Sequence, residues 1–76
     1  MTTLEIEYCH PCGYLERAVG VQEAVLRQFG TELESATLTV GDHGVFVVRV
    51  DGQPVFDIAD DEFDVDDIVR RIRKRL

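Results

Sequence analysis

The 76-residue chain predicts a two-layer α/β sandwich with its elements in the order β-α-β-β-β-α. Three observations carry that prediction. Four short runs alternate apolar and polar residues, the period of a half-buried strand, and two longer runs carry apolar residues at helical spacing. Turn residues separate the last three strands, as Gly41-Asp42-His43-Gly44 and Asp51-Gly52. The first helix lies between two strands, so that β-α-β unit reads as a right-handed crossover with parallel strands. Hairpins suffice for the rest. Because all four strands alternate, the helices cover one sheet face and leave the other more open.

The first strand is read over residues 3–8, where Leu4, Ile6 and Tyr8 alternate with Glu5 and Glu7. A helix is predicted over 11–29. Leu15, Ala18, Val19, Val25, Leu26 and Phe29 give it one apolar face, with Glu16, Arg17, Glu23 and Arg27 opposite. Gly20 weakens its middle by ~1 kcal/mol relative to alanine and is read as a point of close approach to the sheet. Gly30 is read as the C′ residue that ends it. The second strand spans 33–40, with Ala36, Leu38 and Val40 on one face. The third spans 45–50, with Phe46, Val48 and Val50 inward. Asp51-Gly52 then signals a tight hairpin, and Pro54 opens an edge strand over 55–58. Asp64 is a good N-cap for a last helix over 65–75. Asp66 and Asp67 stand in its first turn and Arg73, Lys74 and Arg75 in its last, the order that the helix dipole favours. Val65, Ile68, Val69, Ile72 and Leu76 form its apolar stripe.

Length and composition bound the function. Seventy-six residues make one domain, near the lower limit for a single hydrophobic core, as a monomer or a homodimer. A hydrophobic content of 45% is that of a globular chain. No apolar run approaches the ~20 residues of a membrane span, and residues 1–5 lack the features of a signal peptide. The expected setting is cytoplasmic. The net charge of −7 argues against nucleic acid and anionic membranes as partners. The basic cluster at 70–75 is accounted for by the last helix.

The chemistry-bearing stretch is Tyr8-Cys9-His10-Pro11-Cys12-Gly13-Tyr14, which holds the only two cysteines. It falls where a strand hands over to a helix. The unpaired N–H groups and dipole of a helix start favour a thiolate, here at Cys9. Pro11 suits a first helical turn, and Cys12 then lies about one turn along, in reach of a mixed disulfide at Cys9. His10, if protonated, adds to the stabilisation of a Cys9 thiolate. In a cytosolic chain such a pair is read first as redox-active, with no cofactor required. Two alternatives stay open. Cys9 and Cys12 with His43, or cysteines from two chains, could hold zinc or an iron–sulfur cluster. A non-catalytic adaptor would use the open sheet face instead.

Glu7-Tyr8-Cys9-x-x-Cys12-Gly13-Tyr14, followed by Arg17-Ala18, Phe29-Gly30, Gly44-Val45-Phe46-x-Val48, Asp51-Gly52 and Val55-Phe56, resembles the selenoprotein W / Rdx family of thioredoxin-like proteins. The similarity covers nearly the whole chain. It implies a thioredoxin-like fold with sheet order 2-1-3-4 and a thiol–disulfide redox role. It also implies Cys9 as attacking thiol and Cys12, a position that can hold selenium, as resolving thiol. Thiols and disulfides of proteins or small molecules are then the expected partners. His10, Pro11 and Gly13 are the expected supporting residues, and Tyr8, His43, Gly44 and Val45 the expected substrate contacts. The chain departs from the family pattern with Val47 where glutamate is common, and with Asp61-Glu62-Phe63-Asp64 before the last helix. His43-Gly44-Val45 stands where ordinary thioredoxins carry a proline. The implied topology puts the acidic segment Asp60–Asp64 on the cysteine side, where it is expected to disfavour anionic thiols.

Overall fold

The computed structural model describes residues 2–76. Strand β1 (Thr2–Tyr8) leads through a turn into helix α1 (Leu15–Phe29) and a short 3-10 turn, Gly30–Glu32. Strands β2 (Leu33–Val40), β3 (Phe46–Val50) and β4 (Gln53–Asp57) follow, and then helix α2 (Val65–Arg73). The sheet order is β2-β1-β3-β4, with β1 parallel to β2 and the other pairs antiparallel. The chain therefore folds as the two-layer, thioredoxin-like sandwich that its periodicity and family resemblance predict.

Alternation builds the core. Leu4, Ile6 and Tyr8 of β1 and Phe46, Val48 and Val50 of β3 point the same way and are buried with Phe56 of β4. Ala18, Val21, Val25 and Phe29 of α1 and Ile68, Val69 and Ile72 of α2 close over them. On the other face Arg49 lies 3.0 Å from both Glu5 and Glu7, a partly exposed carboxylate–guanidinium cluster. The hydrogen bond to Glu7 is the main reason that the Arg49 guanidinium holds its proton even more firmly than usual. Phe46 is the hub of an aromatic group, with Tyr14, Phe56 and Phe63 edge-on around it at 5.5–6.1 Å.

Several boundaries differ from the sequence reading. Helix α1 begins at Leu15, not residue 11, because His10–Gly13 forms a tight turn closed by Gly13 N–H donating to the His10 carbonyl at 3.1 Å. Pro11 thus holds the second position of a turn, where its fixed φ is equally suitable. Gly30 is not a left-handed C′ residue: its φ is −53° and it continues into the 3-10 turn. A side chain at Gly20 would meet nothing within 4 Å, so this glycine marks no close approach. The buried face of α1 includes Val21, whereas Leu15, Val19 and Leu26 lie 39–43% exposed on a second apolar stripe. Val40, which shares a strand face with the partly buried Ala36 and Leu38, is 63% exposed at the end of β2. Strand β3 begins one residue late, and β4 spans 53–57 with Pro54 inside it. Helix α2 ends at Arg73, where Arg75 N–H and Leu76 N–H turn to carbonyls three residues back.

Other local expectations hold. Asp51 and Gly52 have φ of +51° and +82°, the paired left-handed residues of a two-residue hairpin turn. Asp64 caps α2, its carboxylate accepting from Asp66 N–H at 3.0 Å and Asp67 N–H at 3.3 Å. No helix among the described residues is long and apolar enough to cross a membrane.

Candidate functional site

Two segments meet at the carboxyl end of the central strand β1. One is the turn that carries the cysteines. The other is the connection Gly41–Val45 between β2 and β3. Two backbone hydrogen bonds fasten them, Gly41 N–H to the Tyr8 carbonyl and Cys9 N–H to the Val45 carbonyl, both at 2.8 Å, and Val45 N–H donating to the Asp42 carbonyl at 3.2 Å closes the connection on itself. Gly41 makes the fit possible, since a Cβ there would stand 2.7 Å from Val45 Cγ1 and collide with the Glu7 side chain. The connection is therefore held against the cysteine turn.

Cys9 and Cys12 are joined as a disulfide, with Cα atoms 5.4 Å apart. Their surroundings differ. Cys9 is fully buried at the end of β1, whereas Cys12 sits on the outer turn and is only partly covered. Cys12 Sγ accepts a hydrogen bond from Gly44 N–H at 3.3 Å and lies 3.8 Å from His43 Nδ1. Gly44 has a φ of +82°, so its N–H direction depends on a backbone conformation that favours glycine. The Cys12 sulfur thus has two polar neighbours, both from the β2–β3 connection.

The sequence-predicted residues fall into three groups. Cys9, Cys12, His43 and Gly44 come together. His10, Pro11 and Gly13 shape the turn, and the His10 ring is exposed with its edge toward Tyr8, centroids 6.4 Å apart. Tyr8 is a core residue, 6% exposed, and not a surface contact. Val45 is half-buried and contributes through its backbone carbonyl. The helix start that was to stabilise Cys9 is displaced from it by residues 10–14. His43, which the sequence offered as a neighbour of Cys9 or as a metal ligand with both cysteines, stands 3.8 Å from Cys12 Sγ. Cys9, Cys12 and His43 are also the residues that could hold a metal, their ligand atoms all lying within 4.8 Å of one another.

Near the start of α1, Arg17 lies over the rings of Tyr14 and Phe63, 5.3 and 4.9 Å from their centroids. Phe63 belongs to the segment after β4, which therefore does reach the cysteine end of the sheet. Its acidic residues are partly engaged. Asp61 pairs with Arg71 at 3.1 Å, and Asp64 is committed to its cap. Sequence reasoning missed Arg17 as part of this wall. Its helical position one turn after Tyr14 was the available signal.

A two-layer sandwich with a C-x-x-C pair at the end of its central strand defines the class of small thioredoxin-fold proteins. Within that class the Rdx family model matches residues 3–74, and the chain belongs to the Rdx family. It is 38% identical over 52 residues to migration and invasion enhancer 1 of Bos taurus, a match that covers 67% of this chain. The matched stretch is 43% of that protein's length, so the two differ substantially in extent. Among solved structures, a Bordetella parapertussis protein is 28% identical with a TM-score of 0.90, covering 99% of this chain and 98% of the other. A selenoprotein W-related protein of Vibrio cholerae shares the fold at 21% identity and a TM-score of 0.87, covering 96% and 94% of the two chains.

Proposed function

We propose that this protein is a thiol–disulfide oxidoreductase of cell redox homeostasis in which Cys12 meets the partner and Cys9 resolves. The single observation that carries this reading is the difference in cover between the two sulfurs. An attacking thiolate must reach a partner disulfide, and Cys9 is buried while Cys12 is accessible. The roles are the reverse of those implied by the family resemblance. The Gly44 N–H favours negative charge on Cys12 over the same charge in the open, and His43 adds to this in the tautomer that carries its proton on Nδ1.

The reaction needs no cofactor. The Cys12 thiolate attacks one sulfur of a disulfide RS–SR′, forming Cys12–S–SR and releasing R′S⁻. The Cys9 thiolate then attacks Cys12 Sγ, closing Cys9–Cys12 and releasing RS⁻. One electron pair has passed from the dithiol to the partner, and two protons from the thiols are available to the leaving thiolates. Run backwards, the same steps oxidise a partner dithiol. The expected partners are protein or small-molecule thiols and disulfides.

Trapping tests the assignment. In Cys9→Ala the resolving sulfur is gone, so a disulfide substrate is expected to accumulate as a stable adduct on Cys12, visible by intact mass. Cys12→Ala is expected to trap far less, because Cys9 stays covered. Adducts forming mainly on Cys9 would overturn the assignment. The wild-type pair is expected to titrate as one two-electron couple between roughly −270 and −120 mV, the span of known dithiol proteins.

A further inference from the structure

We propose that, when reduced, the protein binds a single zinc ion through Cys9 Sγ, Cys12 Sγ and His43 Nδ1, and that closing the disulfide expels it. The three ligand atoms already lie within 4.8 Å of one another. In tetrahedral zinc, with Zn–S ≈ 2.3 Å and Zn–N ≈ 2.0–2.1 Å, neighbouring ligand atoms sit roughly 3.5–3.8 Å apart. Cys12 Sγ and His43 Nδ1 stand 3.8 Å apart, so that pair needs almost no adjustment. Reduction removes the S–S bond. Cys12, on an outer turn, can then rotate its sulfur to ligand spacing while Cys9 stays fixed in the core.

The site is built before any metal arrives. His43 is carried by the connection that two backbone hydrogen bonds, and Gly44 N–H donating to Cys12 Sγ, fasten to the cysteine segment. The ligand geometry therefore does not depend on ordering a loose loop. Two thiolates balance the charge of a divalent cation. Their softness, and the lack of any carboxylate in this cluster, select zinc over magnesium or calcium. Cys9 closes the inner side of the site and Cys12 and His43 its rim, so a fourth position faces solvent. A water or a partner's sulfur can take it, as in zinc sites that keep an open position.

Zinc binding needs only the dithiol, whereas expulsion rests on the redox reading above. A disulfide RSSR takes the electron pair from the two cysteine thiolates. The Cys9–Cys12 bond forms, two RS⁻ leave, and the ion loses two of its three protein ligands. Metal loading and partner reduction thus compete for the same two sulfurs.

The experiment is an anaerobic titration of the reduced protein with Zn²⁺ against a chromophoric chelator, repeated with Co²⁺ as a spectroscopic probe. We expect one zinc per chain, together with thiolate-to-cobalt charge transfer and the intense visible bands of tetrahedral cobalt. His43→Ala, an exposed position whose folding circular dichroism can verify, is expected to weaken zinc at least about tenfold. That is the lower end of what losing even an outer partner costs a metal site. Oxidation with a small-molecule disulfide is expected to release the metal. Half a zinc per chain would assign the ion to four cysteines of two copies and overturn the proposal. Unchanged affinity in His43→Ala, or retention of zinc after oxidation, would overturn it too. Metal-free trapping of mixed disulfides on Cys12 is scored separately, so a failure of the zinc site leaves the redox reading standing.

Discussion

At Gly44 the backbone holds φ at +82° and turns its N–H toward Cys12 Sγ. A side chain there would meet no atom within 4 Å, so a substitution acts through backbone strain and the direction of that N–H alone. Gly44→Ala is expected to cost about 1–3 kcal/mol of stability. It should also lower the reduction potential, because a charged sulfur gains more from the N–H than a disulfide sulfur does. A lost hydrogen bond of about 0.5–1.5 kcal/mol corresponds to roughly 10–30 mV in the negative direction. A potential measured in thiol–disulfide buffers that does not move would show that this N–H contributes nothing to the reduced state. The cysteine pair itself was legible at this scale, from two residues at short spacing after a strand-period run. The division of labour was not. It depends on which sulfur the turn buries, and a turn of four residues sends neighbouring side chains to opposite environments. His43 was legible as a partner of the cysteines but not as a neighbour of Cys12 in particular, since that distance arises from strand pairing rather than from spacing.

Element by element, alternation gave the strands their inward residues correctly in β1 and β3, where both neighbours are strands and one face is covered. It failed at Val40, the last residue of the edge strand β2, which is exposed. In α1 two apolar stripes compete. Spacing alone chose a mixture of them, because Leu15, Val19 and Leu26 are as apolar as the residues that pack. The start of α1 was hidden for a similar reason: Tyr14 holds the N-cap position with no side-chain cap to announce it. Gly20 supplies a sharp test at this scale. It sits in mid-helix with open space where a Cβ would project. Gly20→Ala is therefore expected to stabilise by about 0.4–1 kcal/mol, raising Tm by a few degrees in a domain of this size. A lower Tm would mean that the helix packs there more closely than the structure shows. The junction of β4 and α2 has a pH signature. Arg71 donates to Asp61 at 3.1 Å and to the Val55 carbonyl at 3.1 Å, and pairs with Asp67 at 2.9 Å. The hydrogen bond from Arg71 is the main cause that holds the Asp61 carboxyl below its ordinary value of 3.8, against the opposing effect of burial. A depressed carboxyl adds stability above its unfolded pKa and loses it as pH falls through the folded one. Asp61→Asn should thus lie below wild type near neutral pH and converge with it in acid. Unfolding curves that keep a constant gap down to about pH 3, below the unfolded carboxyl pKa of about 3.9, would deny the linkage.

Over the whole molecule the charge of −7 bears on which thiols reach Cys12. The sheet order sets β4 two strands from β1, roughly 10 Å at ~4.8 Å per strand. Ile58 N–H donates to the Phe46 carbonyl at 3.0 Å, which brings the acidic segment to the cysteine end. Its strength is less than its composition suggests, because Asp61 is paired with Arg71 and Asp64 caps α2. Asp60 and Glu62 remain exposed. Each opposes a single negative charge about 10 Å away by ~0.4 kcal/mol in water, falling to about 0.15 kcal/mol at 0.1 M salt, where the Debye length is ≈ 10 Å. For the two together this is a factor of about four at low salt and less than about two at 0.1 M. Reduction of the Cys9–Cys12 disulfide by an anionic thiol such as glutathione should accordingly speed up with salt relative to a neutral thiol of similar acidity. Asp60→Asn with Glu62→Gln should abolish most of that difference. If the ratio of the two rates is flat from about 10 mM to 0.5 M salt, spanning Debye lengths of ~30 Å to a few ångströms, the segment serves solubility and plays no part in choosing partners.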